Sequence, residues 1–479
     1  MALKSVHGPT EIVSQLWIAH GLPDTALESV QMVNCDKIFP SSFKIDYIAQ
    51  STVCLSALAA ALVHSVTSKT KVVPNVIINQ RNACAEFISE KLFTINGQHI
   101  KLTRGVAGGV HKASDGYVRI HNGFPHHEVG ALKILGLDPL TATVADVDRE
   151  VEKWRCVDLE NIATCTGNVI AAMRSYLQWD VLPQAQSISS NPLSILKIGN
   201  SPASIPPGLK PDGNKCLAGL RVIEMSRVIS APTAGRTLAA HGADVLWITA
   251  PHLPDIPELD RDFARGKRTI QLDLRKDSDK DILRGLIKEA DVFLQSYRGD
   301  SIANKGFSIE EVVKLNCNIV YASLSAYGQN GYWSGKRGFD SIVQTCSGMN
   351  ISEAEHQGQG GKPYLEAPCQ VLDHASGYFL AFGILAAVYK RMVYGGAYEV
   401  HVALASTMKY LRSLGQFPGK TGFETTPVKL EDFKDLLEKR DSVFGEMEFV
   451  RHSGQVEGFD TSWETMVKPL GSDTPEFKR

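Results

Sequence analysis

Between Leu220 and Ser323 the chain alternates short apolar runs with helical stretches, and this alternation fixes the fold class. Leu220–Met225, Asp244–Ile248, Thr269–Leu274, Asp291–Leu294 and Asn318–Ser323 read as strands. Pro232–Ala240, Asp279–Glu289 and Ile309–Leu315 read as helices between them. Parallel strands need a crossover, usually a helix, so the pattern predicts an α/β fold with a doubly wound parallel sheet. Pro232 falls near a helix start, where its missing N–H costs nothing.

A chain of 479 residues suggests two or three domains. Pro, Gly, Ser and Asn punctuate residues 188–215, which read as a linker between residues 1–187 and residues 216–479. The two parts share a repeat. Ala57–His64 matches Gly383–Lys390 at an offset of 326, and each segment is followed by a loop and a strand, Val72–Ile78 and Tyr398–Leu404. The net charge of −2 and the lack of a basic, aromatic-rich stripe argue against nucleic acid and anionic membranes as partners. The apolar runs Leu55–Val63 and Tyr378–Tyr389 are short for a bilayer and read as core helices. Nine scattered cysteines, an odd number without a C-x-x-C, indicate a reducing compartment and no metal site. No signal or transit pattern is visible at the N-terminus, and Phe477-Lys478-Arg479 is no peroxisomal address. The expectation is a soluble, intracellular protein whose organelle is unreadable.

Asp373 precedes the second apolar run. A carboxylate at the mouth of a buried helix is costly unless paired or used. The local reading is a helix cap; the alternative is chemistry. The dinucleotide fingerprint, the P-loop, the nucleophile elbow and the zinc helix are all missing. Basic residues recur beside glycines at Arg265-Gly266-Lys267-Arg268, Tyr297-Arg298-Gly299, Lys305-Gly306-Phe307 and Lys336-Arg337-Gly338-Phe339. Such clusters at strand ends suit a multiply charged anion such as a nucleotide phosphate.

Seven motifs run in order from Leu217-Ala-Gly-Leu-Arg-Val-Ile-Glu224 through Leu238–Val245, Arg265–Leu274, Ala290–Gly299, Asn318–Gly328 and Arg337–Gly348 to Asp373-His-Ala-Ser-Gly377. This order resembles the family III CoA-transferases, the CaiB/BaiF group. The resemblance implies a Rossmann-like large domain with a smaller α+β domain. It also implies transfer of coenzyme A between an acyl-CoA and a carboxylic acid, with Asp373 as the nucleophile. In the implied sequence Asp373 attacks the thioester, passes through a mixed anhydride and then carries CoA as an aspartyl thioester. Lys267 and Arg337 are implied as phosphate contacts, and Ser296, Tyr297 and Arg298 as holders of the adenosine end. No tightly bound cofactor is implied, because coenzyme A arrives as the substrate thioester; the implied assembly is a homodimer.

Residues 1–187 resemble the later part of the same family's chain, so the whole resembles a rearranged tandem whose halves complement each other. The first copy has Tyr47 where the second has Asp373, which implies one nucleophile per chain. Backbone amides near Ser230–Ala231, or Gly108 and Gly109, are candidates for an oxyanion site. Gly377 is expected to keep the approach to Asp373 clear. Trp247-Ile248-Thr249, Asn304 and Ile229 depart from the family's pattern. The racemase branch pairs its Asp with a His where Arg337-Gly338 stands, so two-base proton abstraction lacks a partner. His374 reads as a core or surface histidine. The alternatives are a racemase, isomerase or dehydratase of the same family, and a degenerate relative that binds CoA without turnover.

Overall fold

The computed structural model describes residues 8–100, 105–358, 363–425 and 429–478. Met1–His7 and Arg479, part of the terminal segments considered above, lie outside them. The protein is a mixed α/β fold around a seven-stranded sheet. In chain order the strands are β1 (Leu193–Lys197), β2 (Arg221–Met225), β3 (Asp244–Thr249), β4 (Arg268–Gln271), β5 (Val292–Gln295), β6 (Val320–Ser325) and β7 (Tyr398–Ala403). Across the sheet they run β4-β3-β2-β5-β6-β7-β1. All neighbours are parallel except β1, which lies antiparallel to β7 with Val400 opposite Ile195. All six residues of β3 are buried, as expected of a parallel strand covered on both faces.

Strand β1 comes from the stretch that reads as a linker. Leu193-Ser-Ile-Leu-Lys197 is too short, among its Pro, Gly and Ser neighbours, to stand out as a strand, yet it finishes one edge of the sheet.

Five helices matter for the site: α1 (Ile45–Thr67), α2 (Pro125–Ile134), α3 (Ser230–Ala240), α4 (Asp340–Cys346) and α5 (Val371–Tyr394). The starts of α1 and α5 reproduce the offset of 326. These two helices pack on each other. They outrun the apolar stretches visible in the sequence, and both are long and apolar enough to cross a membrane, but the qualifying windows are wholly buried inside the protein. The main core draws side chains from Ile12 to Val467, so it spans both sides of residues 188–215. A three-stranded antiparallel sheet (Gly109–Ala113, Gly116–Ile120 and Ile170–Ala172) has its own core with α2 and the helices Val144–Val151 and Cys156–Cys165. The nine cysteines are free.

Helix α3 lies directly on α5 because both are small at the crossing. A Cβ on Gly377 would stand 2.4 Å from the Ser230 carbonyl oxygen and 2.6 Å from Thr233 Cβ. Gly377 therefore serves the contact between two helices; the expectation that it clears a path for substrate is corrected. Gly377→Ala is expected to lower stability by about 1–3 kcal/mol through overpacking, seen as a reduced denaturation midpoint.

Candidate active site

Helix α5 begins without a side-chain cap of its own. The need is met from elsewhere: Asp340 Oδ2 accepts the amides of Leu372 at 2.7 Å and of Asp373 at 3.0 Å. Asp340 in turn opens α4 and takes a hydrogen bond from Gln344 through its other oxygen. The reading of Asp373 as a cap is thus corrected. The cap is Asp340, and the Asp373 carboxylate makes no hydrogen bond or ion pair among the described residues.

The Asp373 side chain is only 7% exposed and faces a cavity of about 350 Å³. Burial raises its pKa well above the usual carboxylate range, and the charges of Asp340 and Glu90 push it further. Burial also lifts Asp340, to about 6, against the pull of the amides it accepts. His374 lies inside the core, stacked on Phe87 at 5.4 Å and paired with Glu90 at 3.1 Å. That agrees with the expectation that it is no second base.

The cavity opens at the carboxyl ends of β2, β5 and β6, where the strand order reverses between β2 and β5. In open α/β sheets this is where ligands bind. The turn from β2 to α3 brings Arg227–Ala231, the segment after β5 brings Ser296–Gly299, and the approach to α4 brings Lys336–Phe339. Val228 holds a φ of 72°, a left-handed conformation that a β-branched residue rarely adopts. Next to it, Arg227 lies over the Phe124 ring at 4.5 Å.

Phe124, His126 and His127, from the start of α2, close another side. None of these three residues, nor Arg227, nor the capping role of Asp340, was legible from spacing.

Of the residues singled out in the sequence, Asp373, Ser296, Tyr297, Arg298 and Arg337 line this one cavity. Arg227, Arg298 and Arg337 make no ion pair among the described residues. Burial and the charges of Arg337 and Arg227 lower Arg298 to about 10, and Arg337 is lowered by burial, its Nε enclosed without a partner. Unpaired guanidiniums grouped in a cleft suit an anion. A second cavity, about 510 Å³, adjoins the first through Tyr297, Gly299 and Ser325. There His401 is bonded on both ring nitrogens by Ser323 and Ser325, and burial holds it down to about 4.

Lys267 is not in the cavity. Its ammonium is buried, pairs with Glu224 at 2.8 Å and donates to the Pro232 carbonyl. Burial lowers it to about 8, with Glu224 opposing. Arg265 and Arg268 are likewise internal, bound to Asp262 and Asp244. The cluster 265–268 is therefore scaffold, and the assignment of Lys267 to a phosphate is corrected. Gly108 and Gly109 are not among the cavity's lining residues, whereas Ser230 and Ala231 are.

Residues 217–419 match the family model described as CoA-transferase family III. This segment belongs to that family. An acyl-CoA transferase from Gibberella moniliformis is 30% identical over 271 residues, which are 54% of this chain and 47% of that protein. A formyl-CoA:oxalate CoA-transferase from Streptomyces coelicolor is 32% identical over 40% of this chain and 48% of its own length. The crystal structure of a hypothetical protein from Mycobacterium tuberculosis matches with 30% identity and a TM-score of 0.37, covering 42% of this chain and 56% of that one. The chain spans about half the length of the curated relatives it matches. The family III segment contributes Asp373 and all three cavity arginines, while α2 lies outside it.

Two outcomes follow from these environments. A carboxyl whose pKa is raised by folding favours the fold while protonated and opposes it as pH rises through the raised value. Asp373→Asn should therefore unfold at a higher temperature than the parent near neutrality, by about 1–2 kcal/mol. The gap should close as pH falls toward the ordinary carboxylate range, which calorimetry at stepped pH checks. Lys267→Ala should cost about 3–5 kcal/mol by stranding buried Glu224, and Lys267→Met should leave CoA affinity unchanged.

Proposed function

We propose that the protein transfers coenzyme A between an acyl-CoA and a carboxylic acid, with Asp373 as the covalent nucleophile. The observation that carries this is the unpartnered, buried Asp373 carboxylate in a cavity rimmed by three unpaired arginines. An ionised Asp373 is poorly stabilised here and correspondingly nucleophilic; acylation converts it to a neutral group and relieves the desolvation.

In the proposed sequence an Asp373 oxygen attacks the thioester carbonyl, the C–S bond breaks and CoA leaves as thiolate. The thiolate attacks the Asp373 carbonyl of the anhydride, releasing the donor acid as carboxylate and leaving an aspartyl-CoA thioester. The acceptor carboxylate then attacks that thioester, giving a new anhydride and CoA thiolate. Attack of the thiolate on the acceptor's acyl carbon forms the product thioester and frees Asp373. The amides at the start of α3, near Ser230 and Ala231, which line the cavity, are suited to the oxyanions of these steps.

Arg337, Arg298 and Arg227 take the phosphates in this reading, with Ser296, Tyr297 and the adjoining cavity at the nucleotide end. The strand order supports a doubly wound, Rossmann-like sheet, and the smaller antiparallel sheet with its own core supports the α+β domain. The core shared between Ile12 and Val467 supports two rearranged halves that complete one unit. For assembly the reading keeps the homodimer implied by the resemblance; a monomer's sedimentation coefficient removes it.

The test is incubation with a panel of acyl-CoAs and carboxylic acids, read by mass. The wild type should form new acyl-CoAs and a hydroxylamine-sensitive acyl-enzyme. Asp373→Asn should lose turnover by roughly 10³-fold or more. Unchanged turnover in that variant removes the nucleophile assignment, and a wild type that forms no acyl-enzyme with any donor leaves a non-catalytic CoA-binding protein. Arg337→Ala should raise the KM for acyl-CoA about tenfold with kcat little changed, since a phosphate contact is made equally in ground and transition states.

A further inference from the structure

His127 is 97% buried by its 3% exposure, lines the Asp373 cavity and finds no hydrogen-bond partner for its ring among the described residues. Its Nδ1 is wholly enclosed and unpaired. The enclosed Nδ1 cannot reach a ligand, so Nε2, which has no partner among the described residues, is the ring nitrogen left to meet one in the cavity.

The ring is fixed by its neighbours. Phe124 meets it edge-on at 5.4 Å, Phe339 at 5.8 Å, and the imidazoles of His121 and His126 at 5.8 and 4.2 Å. Burial, then His121, His126, Arg337 and Arg298, hold its pKa down to about 2, so it is neutral throughout the working range. Phe339 immediately precedes Asp340, which receives the Asp373 amide. One phenyl ring thus separates the imidazole from the segment that anchors the mouth of α5.

We propose that His127 is a substrate-contacting residue, its neutral imidazole donating a hydrogen bond to a carbonyl oxygen of the acyl-CoA. A fixed, uncharged donor matches an uncharged acceptor, whereas the arginines nearby match phosphates. Acyl-CoA offers two sources of this chemistry: the thioester carbonyl, and the amide carbonyls of the pantetheine arm. The proposal rests on the CoA-transfer reading, and it assigns a task in the family III site to a residue outside the segment 217–419.

The decisive variant is His127→Phe, which keeps a ring and removes both nitrogens. It should melt at or above the wild-type temperature, because an unsatisfied buried group is gone, while transfer falls by about 10²-fold. His127→Gln, whose amide reaches toward the Nε2 position, should recover part of the loss. Calorimetry with CoA and with a non-hydrolysable acyl-CoA thioether ketone separates the sources. Weaker binding of both by His127→Phe indicates a pantetheine amide; weaker binding of the ketone alone indicates the acyl carbonyl. Wild-type turnover in His127→Phe, or a lowered melting temperature with no rescue by Gln, overturns the proposal. Loss of transfer in His127→Phe with full activity in Asp373→Asn overturns the nucleophile reading and leaves His127 standing. A wild type that binds neither CoA nor the ketone overturns both.

Discussion

The Asp340 carboxylate, by receiving the amides of Leu372 and Asp373, determines what the rest of the site can do. A buried helix start must have its free N–H groups satisfied. If Asp373 met that need itself, its oxygens would be occupied and its charge stabilised. Because Asp340 meets it from α4, Asp373 is left without partners in the wall of the cavity, and the neighbouring charges of Asp340 and Glu90 oppose its ionisation. The contact of α3 with α5 at Gly377 holds the arrangement shut from the other side, with Ser230 Oγ donating to the Asp373 carbonyl at 3.0 Å. Scaffold and reactivity thus meet in one pair of acids, the first serving the backbone and the second serving nothing within the protein.

The large sheet was legible because its strands are nearly continuous apolar runs and its helices have clear starts. Ile309–Leu315 occurs with the bounds read from sequence, and β3 and α3 differ by one or two residues. Strand β1 was hidden because its five residues stand among Pro, Gly and Ser neighbours and its apolar residues do not alternate strictly. The candidate site was half legible. Asp373, Arg298, Arg337, Ser296 and Tyr297 converge as the motifs suggested. Lys267, Arg265 and Arg268 misled for one shared reason. A basic residue near a strand end looks solvent-exposed until its acid is known, and two of the acids, Glu224 and Asp244, lie more than twenty residues away in sequence. His127 escaped notice because its signal is a set of missing hydrogen bonds, which no local spacing records.

Charge is distributed in the protein by depth. The inner cations are paired with acids: Lys267 binds Glu224 of the sheet and the Pro232 carbonyl of α3, and Arg236 binds Asp262, which ties α3 to the helix Pro257–Phe263. The cavity's guanidiniums are incomplete and face outward from the strand ends. Buried cations with partners position the backbone, and the less buried ones without partners suit an anion. The segment 217–419 carries both kinds, while the start of α2 adds the aromatic and imidazole wall.

The pairing of α1 with α5 also orders events in time. During synthesis α1 emerges early, an apolar helix of 23 residues whose counterpart begins at Val371. At about 5–20 residues per second, the ribosome needs on the order of tens of seconds to deliver that counterpart. Throughout that interval the first helix has only its near neighbours Pro9–Ala19, Val76–Asn79 and Gln80–Glu86 to lie against. The face of α1 that α5 covers in the finished fold stays uncovered until the second helix arrives.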